Sequence, residues 1–523
     1  MATHLSETLH ISRRVDAGVD TGDVKSLEAW LDGQTLLLIL ALLAFVLPFL
    51  VIIALRRALW FDEIFTVTIS RLSIDQLWKT LSTNVDAHPP VTYVLTHASL
   101  RLFGNGAFSA RLPSIFGFCL MAVCVFRYVA FRTGAAWGFL AALLPFASDA
   151  VYYGSEARPY GLLLGFSALA LVTWQHATAD RHRIISLFGL VIAIVLAVST
   201  HYYALLLAFP LLTAELTRCC TRRKVDWPVL LCSTLPFALF VIYLPLVLHL
   251  VQIYKDNAWN PPTLKGLYSS YQYVFPGLAP VLLAVIVVCL PVSYLLRQIG
   301  ASENWPLLPP LHEWIAALAL ALIPFPAYVI AVLKTHQLYP RYVLPLLVGC
   351  AILFGFACYQ IWRARVAYAV AAAMCLLSWM TIMQVQTIRS LPEPDFGCPS
   401  PPLTGPTVSL PVVIDDSKAA LRCWFYAKPP LKSRIVFVAD PEEATTVGLS
   451  NSIQNNLLIA GDVLHFPVVP YKPFRAAHHE FFLSKGVDGE ARWVLAKYLQ
   501  NRADVRLFQG FPNELYLVKE APE

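Results

Sequence analysis

Charge is what most of this chain lacks. Of its 72 Asp, Glu, Lys and Arg residues, 9 fall in residues 1–34, 34 in residues 35–388 and 29 in residues 389–523. The middle of the chain is therefore about 10% charged, against about 25% in ordinary soluble domains, whereas the tail is about 21% charged. Two solvents are implied, and the first is lipid. A purely soluble enzyme and a disordered scaffold are excluded. The eleven cysteines include no Cys-x-x-Cys pair, and most sit in apolar runs as inert thiols, which excludes a disulfide-stapled secreted domain. Only Cys398 and Cys423 lie in the polar tail, and a disulfide between them is left open. The net charge of +6 is spread over short loops without a basic tract, a pattern that sets membrane topology and offers nucleic acid no binding surface. There is no internal repeat. The 34 polar residues before the first apolar run are too many and too acidic for a secretory signal peptide, so that run reads as a retained anchor.

What is present is a series of apolar runs. Those long enough to cross a bilayer are 35–55, 113–131, 135–153, 160–177, 184–200, 202–217, 228–251, 276–296, 313–333, 342–362 and 366–388. These are about eleven, since 184–200 and 202–217 are short and could be mis-split, and they give a mainly α, polytopic membrane protein. Segment 89–104 reads as an amphipathic helix in the interface. A cytoplasmic amino terminus puts Arg127, Arg132, Arg181, Arg183, Arg218, Arg222, Arg223, Lys224, Arg297, Arg363 and Arg365 in inner loops. It leaves Asp62, Glu63, Asp75, Asp86, Asp149, Glu156 and Asp256 outside, with Arg56 and Arg57 as exceptions. The domains are then a cytoplasmic segment (1–34), a membrane domain (35–388) with a large first outer loop (56–112), a linker (389–410) and an extracytoplasmic domain (411–523). Pro236, Pro245, Pro324 and Pro326 should kink their helices. Gly161 and Gly165 allow close helix packing, within the chain rather than between chains.

In the tail, Pro411–Ile414, Ile435–Val438, Asn456–Ile459, Val505–Phe508 and Glu514–Val518 read as strands around a helix near Gly489–Arg502, a small α/β domain. A lid or acceptor-docking module and an inert appendage are equally consistent with it.

Four clusters fall on the outer face. Asp62-Glu63 follows Trp60-Phe61; neighbours on a helix point about 100° apart, so the two carboxylates should do different jobs unless they merely cap a helix. Asp86-Ala87-His88-Pro89-Pro90 holds Asp86 and His88 at a helix start, where an anion is favoured. Tyr152-Tyr153-Gly154-Ser155-Glu156-Ala157-Arg158-Pro159-Tyr160 brings ionisable groups to membrane depth, although Glu156 and Arg158 could simply pair. Tyr339-Pro340-Arg341-Tyr342 offers a guanidinium that can fork onto a phosphate, or an interfacial anchor. Together they describe a lipid-side cavity for a charged amphiphile.

These motifs, with Arg111-Leu112-Pro113-Ser114 opening the next span, resemble the GT-C membrane glycosyltransferases. The likeness is closest to the bacterial branch of the protein-mannosyltransferase superfamily, which includes the aminoarabinose and galacturonic acid transferases of lipid A. It covers roughly residues 35–360 and says nothing of the sugar. It implies an inner (plasma) membrane transferase with a polyprenyl-phosphate-linked sugar as donor and a lipid, glycan or protein as acceptor. Asp62 would be the general base, with inversion at the sugar. Glu63 joins it as catalytic, orienting a helix or binding a metal with a histidine such as His201; no cofactor is required, and a divalent metal is compatible. His88, Arg158 and Arg341 would meet the phosphate's growing charge. Asp86, Glu156 and Tyr342 are further substrate-binding residues, and Tyr153 and Tyr160 would line the sugar pocket. The kinked 228–251 run would make a groove for the prenyl chain. The rival class is a secondary transporter or lipid flippase. Those place charges near the bilayer centre and show paired halves, neither of which this chain does.

Overall fold

The computed structural model describes residues 21–83, 85–255, 260–274, 307–362, 364–391, 398–402, 404–446, 451–485, 493–500, 503–510 and 514–520. It is a mainly helical body followed by one six-stranded sheet. Among the described residues, five helices are long and apolar enough to cross a membrane, or six if the pair Leu311–Ala321 and Pro324–Thr335, bent by 49°, is one span. The apolar runs coincide with helices or with helices broken by short turns; 276–296 lies outside the described residues. Two of the breaks fall at proline, which lacks a backbone donor, whereas Pro245 lies inside a continuous helix. Pro236 sits in a turn between Trp227–Thr234 and Phe240–Lys255, and Pro324 opens the helix after the 49° bend.

Helix α1 (Thr35–Arg56) reaches the site and ends there. Two short helices follow, α2 (Phe61–Ser70) and α3 (Ile74–Ser82), then α4 (Val91–Phe103), a helix where an amphipathic one is expected. Its outward Val94, Leu95, Leu102 and Phe103 are exposed while Tyr93, Thr96 and Leu100 are buried. Helix α5 (Ala107–Thr133) packs along α6 (Tyr160–Thr178) at the closest spacing backbones allow. A Cβ on Gly161 would stand 2.4 Å from the Ser114 carbonyl oxygen, and one on Gly165 2.4 Å from that of Gly117. The small-residue pair thus joins two helices of one chain.

In the tail, β1 (Val412–Ile414), β2 (Ile435–Ala439), β3 (Val468–Pro470) and β4 (Glu480–Ser484) run parallel, and β6 (Leu515–Lys519) lies antiparallel between β4 and β5 (Asp504–Gln509). One expected strand is corrected: Asn456–Ile459 lies inside a helix, α8 (Asn451–Leu464), whose Leu457, Ala460 and Leu464 form a buried stripe at helical spacing. Strands β3 and β4 were not foreseen. Helix α7 (Ser417–Tyr426) is started by Asp416, whose Oδ1 accepts the Ala419 N–H at 2.7 Å. Both α7 and α8 lie on α2. Leu59, Phe61, Ile64 and Phe65 share one apolar core with Leu421, Cys423, Leu457 and Ala460. Cys398 and Cys423 are joined, their Cα atoms 5.0 Å apart, which ties the linker to α7.

Candidate active site

The two adjacent carboxylates start α2, where the helix dipole favours them, and their surroundings differ. Glu63 is fully buried. Its Oε1 accepts from Arg111 Nε (2.7 Å) and the Ala157 N–H (2.7 Å), and its Oε2 from Arg111 Nη2 (2.6 Å) and the Trp60 N–H (3.2 Å). Burial opposes its charge, but the Arg111 guanidinium outweighs burial and holds the carboxyl below its ordinary value. Arg111 also donates to the carbonyls of Ala54, Arg57 and Ala58, closing the last turn of α1. Glu63 was expected among the catalytic residues; it has no oxygen left to meet a substrate and locks α1, α2 and α5 together. Among the described residues no three His, Cys, Asp or Glu side chains are arranged to hold a metal ion. Asp62 is the contrasting neighbour. Its side chain is 21% exposed, and its Oδ2 faces Arg341 Nη1 at 3.7 Å, too far for a hydrogen bond.

Arg158 pairs with Asp86, not with Glu156. Its Nη1 donates to Asp86 Oδ2 (2.7 Å), Thr66 Oγ1 (3.0 Å) and the Asp62 carbonyl (3.1 Å). Burial raises the Asp86 carboxyl, but Arg158 and then His88 outweigh it and bring it well below the usual range. His88 Nδ1 lies 3.1 Å from both Asp86 Oδ1 and Arg158 Nη2. Burial and the Arg158 charge push its pKa down. Glu156 accepts from Trp60 Nε1 at 2.5 Å, and burial, then the Glu63 charge, push it up to about 7. Arg57, an exception to the charge rule, donates to the Ser155 carbonyl (2.9 Å), sits 3.7 Å from Glu63 and lies over the Tyr152 ring. It belongs to the scaffold of the site.

Arg341 arrives on a separate path. A π turn over Ala331–Thr335 and a left-handed His336 (φ 55°) reverse the chain after the bent helix pair. Tyr203 Oη then donates to the Gln337 carbonyl at 3.0 Å. The result stacks Arg341 near the rings of Tyr339, Tyr342 and Tyr160. His201 completes the ring cluster, 5.2 Å from His88 and 5.4 Å from Tyr342 between centroids. Tyr153 packs edge-on to Tyr160 at 5.0 Å. The site thus assembles all ten expected residues.

Two features suit an anionic ligand. Four guanidiniums (Arg57, Arg111, Arg158, Arg341) face three carboxylates (Asp62, Glu63, Asp86), so with Glu156 protonated the set keeps one positive charge. Several buried polar atoms also have no hydrogen-bond partner: Glu156 Oε2, Tyr160 Oη, His201 Nε2, Gln337 Nε2 and Arg341 Nε. Native cores rarely leave such groups unpaired. Sequence reasoning had missed the Glu63–Arg111 lock, although both residues stood in its motifs, and gave His201 only a metal role.

Residues 87–248 match the family model of dolichyl-phosphate-mannose-protein mannosyltransferases. No curated protein matches the chain. Solved structures do, among them two of ArnT from Cupriavidus metallidurans. The one bound to undecaprenyl phosphate is 13% identical over 93% of this chain and 98% of that chain, with a TM-score of 0.55. The apo form is 14% identical over 93% and 97%, with a TM-score of 0.54. The chain has the fold of the GT-C membrane glycosyltransferases, and it is a multi-pass membrane protein. Within that class its likeness is to the mannosyltransferase and ArnT branch.

Proposed function

We propose that this protein transfers a sugar from a polyprenyl-phosphate donor to an acceptor hydroxyl on the extracytoplasmic face of the inner (plasma) membrane. The observation that carries the reading is the division of labour at the start of α2: Glu63 is locked to Arg111, while Asp62 stays part-exposed beside Arg341. Asp62 is the general base. It takes the acceptor's proton as the hydroxyl oxygen bonds to the anomeric carbon, and the bond from that carbon to the phosphate oxygen breaks with its electron pair going to the phosphate. Attack from the side opposite the phosphate inverts the sugar. Arg341 and His88 meet the charge that grows on the leaving phosphate; Arg158, committed to Asp86, shapes the pocket and adds its field. Glu156, Tyr153 and Tyr160 face the sugar. The net positive charge of the cluster suits a phosphodiester, which carries one negative charge. The family match and the undecaprenyl phosphate bound to ArnT support the same donor class. The Cys398–Cys423 disulfide fits a tail outside the cytoplasm, where thiols are oxidised.

The test is a purified-protein assay offering a panel of polyprenyl-phosphate sugars to wild type and Asp62→Asn. Release of polyprenyl phosphate by wild type alone supports donor class and base together. If both proteins bind the lipid and neither consumes any donor, the reading fails.

A further inference from the structure

One nitrogen in the site has a fixed chemical state and no task. His201 is 3% exposed. The Tyr203 backbone N–H donates to its Nδ1 at 3.1 Å. An amide N–H can only donate, so Nδ1 holds a lone pair, and in a neutral ring the hydrogen is then on Nε2. The accepting Nδ1 excludes the doubly protonated ring, and burial first, then the neighbouring His88, Arg158 and Arg341, push its pKa well below the ordinary imidazole value. The groups packed around it come from every side of the site. His88 precedes α4, Arg158 and Tyr160 stand at the start of α6, Tyr203 follows His201, and Arg341 and Tyr342 close the ring. None of them accepts from Nε2, which is buried and unpartnered. An unpaired buried donor is costly, and this one lies in the aromatic ring cluster that Arg341 also enters.

We propose that His201 Nε2–H donates a hydrogen bond to a non-bridging oxygen of the donor's phosphate and holds it as the sugar leaves. This rests on the transferase reading above. The phosphate gains one negative charge when its bond to the sugar breaks, so a pre-set donor binds the transition state more strongly than the ground state. The acceptor's proton goes to Asp62, the bonding pair goes to the phosphate oxygen, and His201 keeps its own proton throughout.

Two substitutions separate this role from a structural one. His201→Asn keeps an acceptor for the Tyr203 N–H and loses the outer donor; His201→Gln carries an amide N–H to the Nε2 position and loses the acceptor. Affinity for undecaprenyl phosphate and kcat with a donor that wild type accepts are measured on purified, monodisperse protein. The expected result is about tenfold or greater loss of both in His201→Asn and retention within about threefold in His201→Gln. Loss in His201→Gln alone or in both variants overturns the inference, because the bond to Tyr203 or the ring itself would then be what matters. Unchanged affinity in both overturns it as well. Wild type that neither binds undecaprenyl phosphate nor releases it from any donor overturns the transferase reading itself, and the inference with it.

Discussion

The hydroxyl of Tyr426 accepts the backbone N–H of Leu59 at 2.8 Å, across 367 positions of the chain. Leu59 lies three residues before Asp62, so a residue of the tail holds the segment that leads into the proposed base. The tail is neither remote from the site nor loosely tethered: α7 and α8 share an apolar core with α2.

Tyr426→Phe keeps the ring and removes the acceptor, leaving the Leu59 N–H unpaired at a cost of about 1–3 kcal/mol. Turnover should fall several-fold while the amount of protein in the membrane is unchanged. Quantitative immunoblotting beside the donor-consumption assay checks this. Wild-type turnover in Tyr426→Phe would show that the contact positions nothing.

Removing the disulfide with Cys398→Ser and Cys423→Ser frees the linker from α7. Its loss should cost the tail about 2–4 kcal/mol, seen as faster proteolysis within residues 389–523 and a lower unfolding temperature. Reductant should reproduce the effect in wild type and add nothing in the double variant.

Breaking the Glu63–Arg111 pair from one side leaves a buried charge alone, at about 3–5 kcal/mol. Arg111→Met and Glu63→Gln should each reduce the yield of monodisperse protein sharply. The double variant Glu63→Gln with Arg111→Met should recover part of that yield, because no lone charge remains. Asp62→Asn should give a normal yield with activity about 10²–10⁴-fold lower, since that side chain is 21% exposed and its carboxylate lies beyond hydrogen-bond reach of Arg341. Size-exclusion profiles and initial rates separate the two behaviours.

Glu156 titrates near 7 because burial and Glu63 both disfavour its charge. Below that pH it is protonated and the cluster keeps its net positive charge. As pH rises through 7 a further negative charge appears. Affinity for undecaprenyl phosphate should therefore weaken between about pH 6 and pH 8 in wild type. Glu156→Gln, neutral at every pH, should lack that fall and hold the low-pH affinity. The same shift lowers stability as pH rises from the unfolded value of 4.5 toward 7, because the folded form binds the proton more tightly.

Much of this was legible in the sequence. The apolar runs, the amphipathic helix near 89–104 and the clusters of ionisable groups follow from hydropathy and charge, which are properties of segments. The expectation that Asp62 and Glu63 would differ followed from the angle between neighbours on a helix. Asn456–Ile459 misled because a short apolar run fits a buried strand or a helix equally well. Packing against α2 decided it, through the stripe Leu457, Ala460 and Leu464.

Hydropathy and charge along the chain mark a membrane protein with a tail of soluble composition and four clusters of charged and aromatic residues. Which charge pairs with which is set by the folded arrangement. Arg158 stands two residues from Glu156, yet its partner is Asp86, 72 positions away. Glu63, and not Asp62, is locked because Arg111 enters from α5 on that side alone. A charge is stabilised by what surrounds it within a few ångströms, and in a folded chain those neighbours come from distant segments.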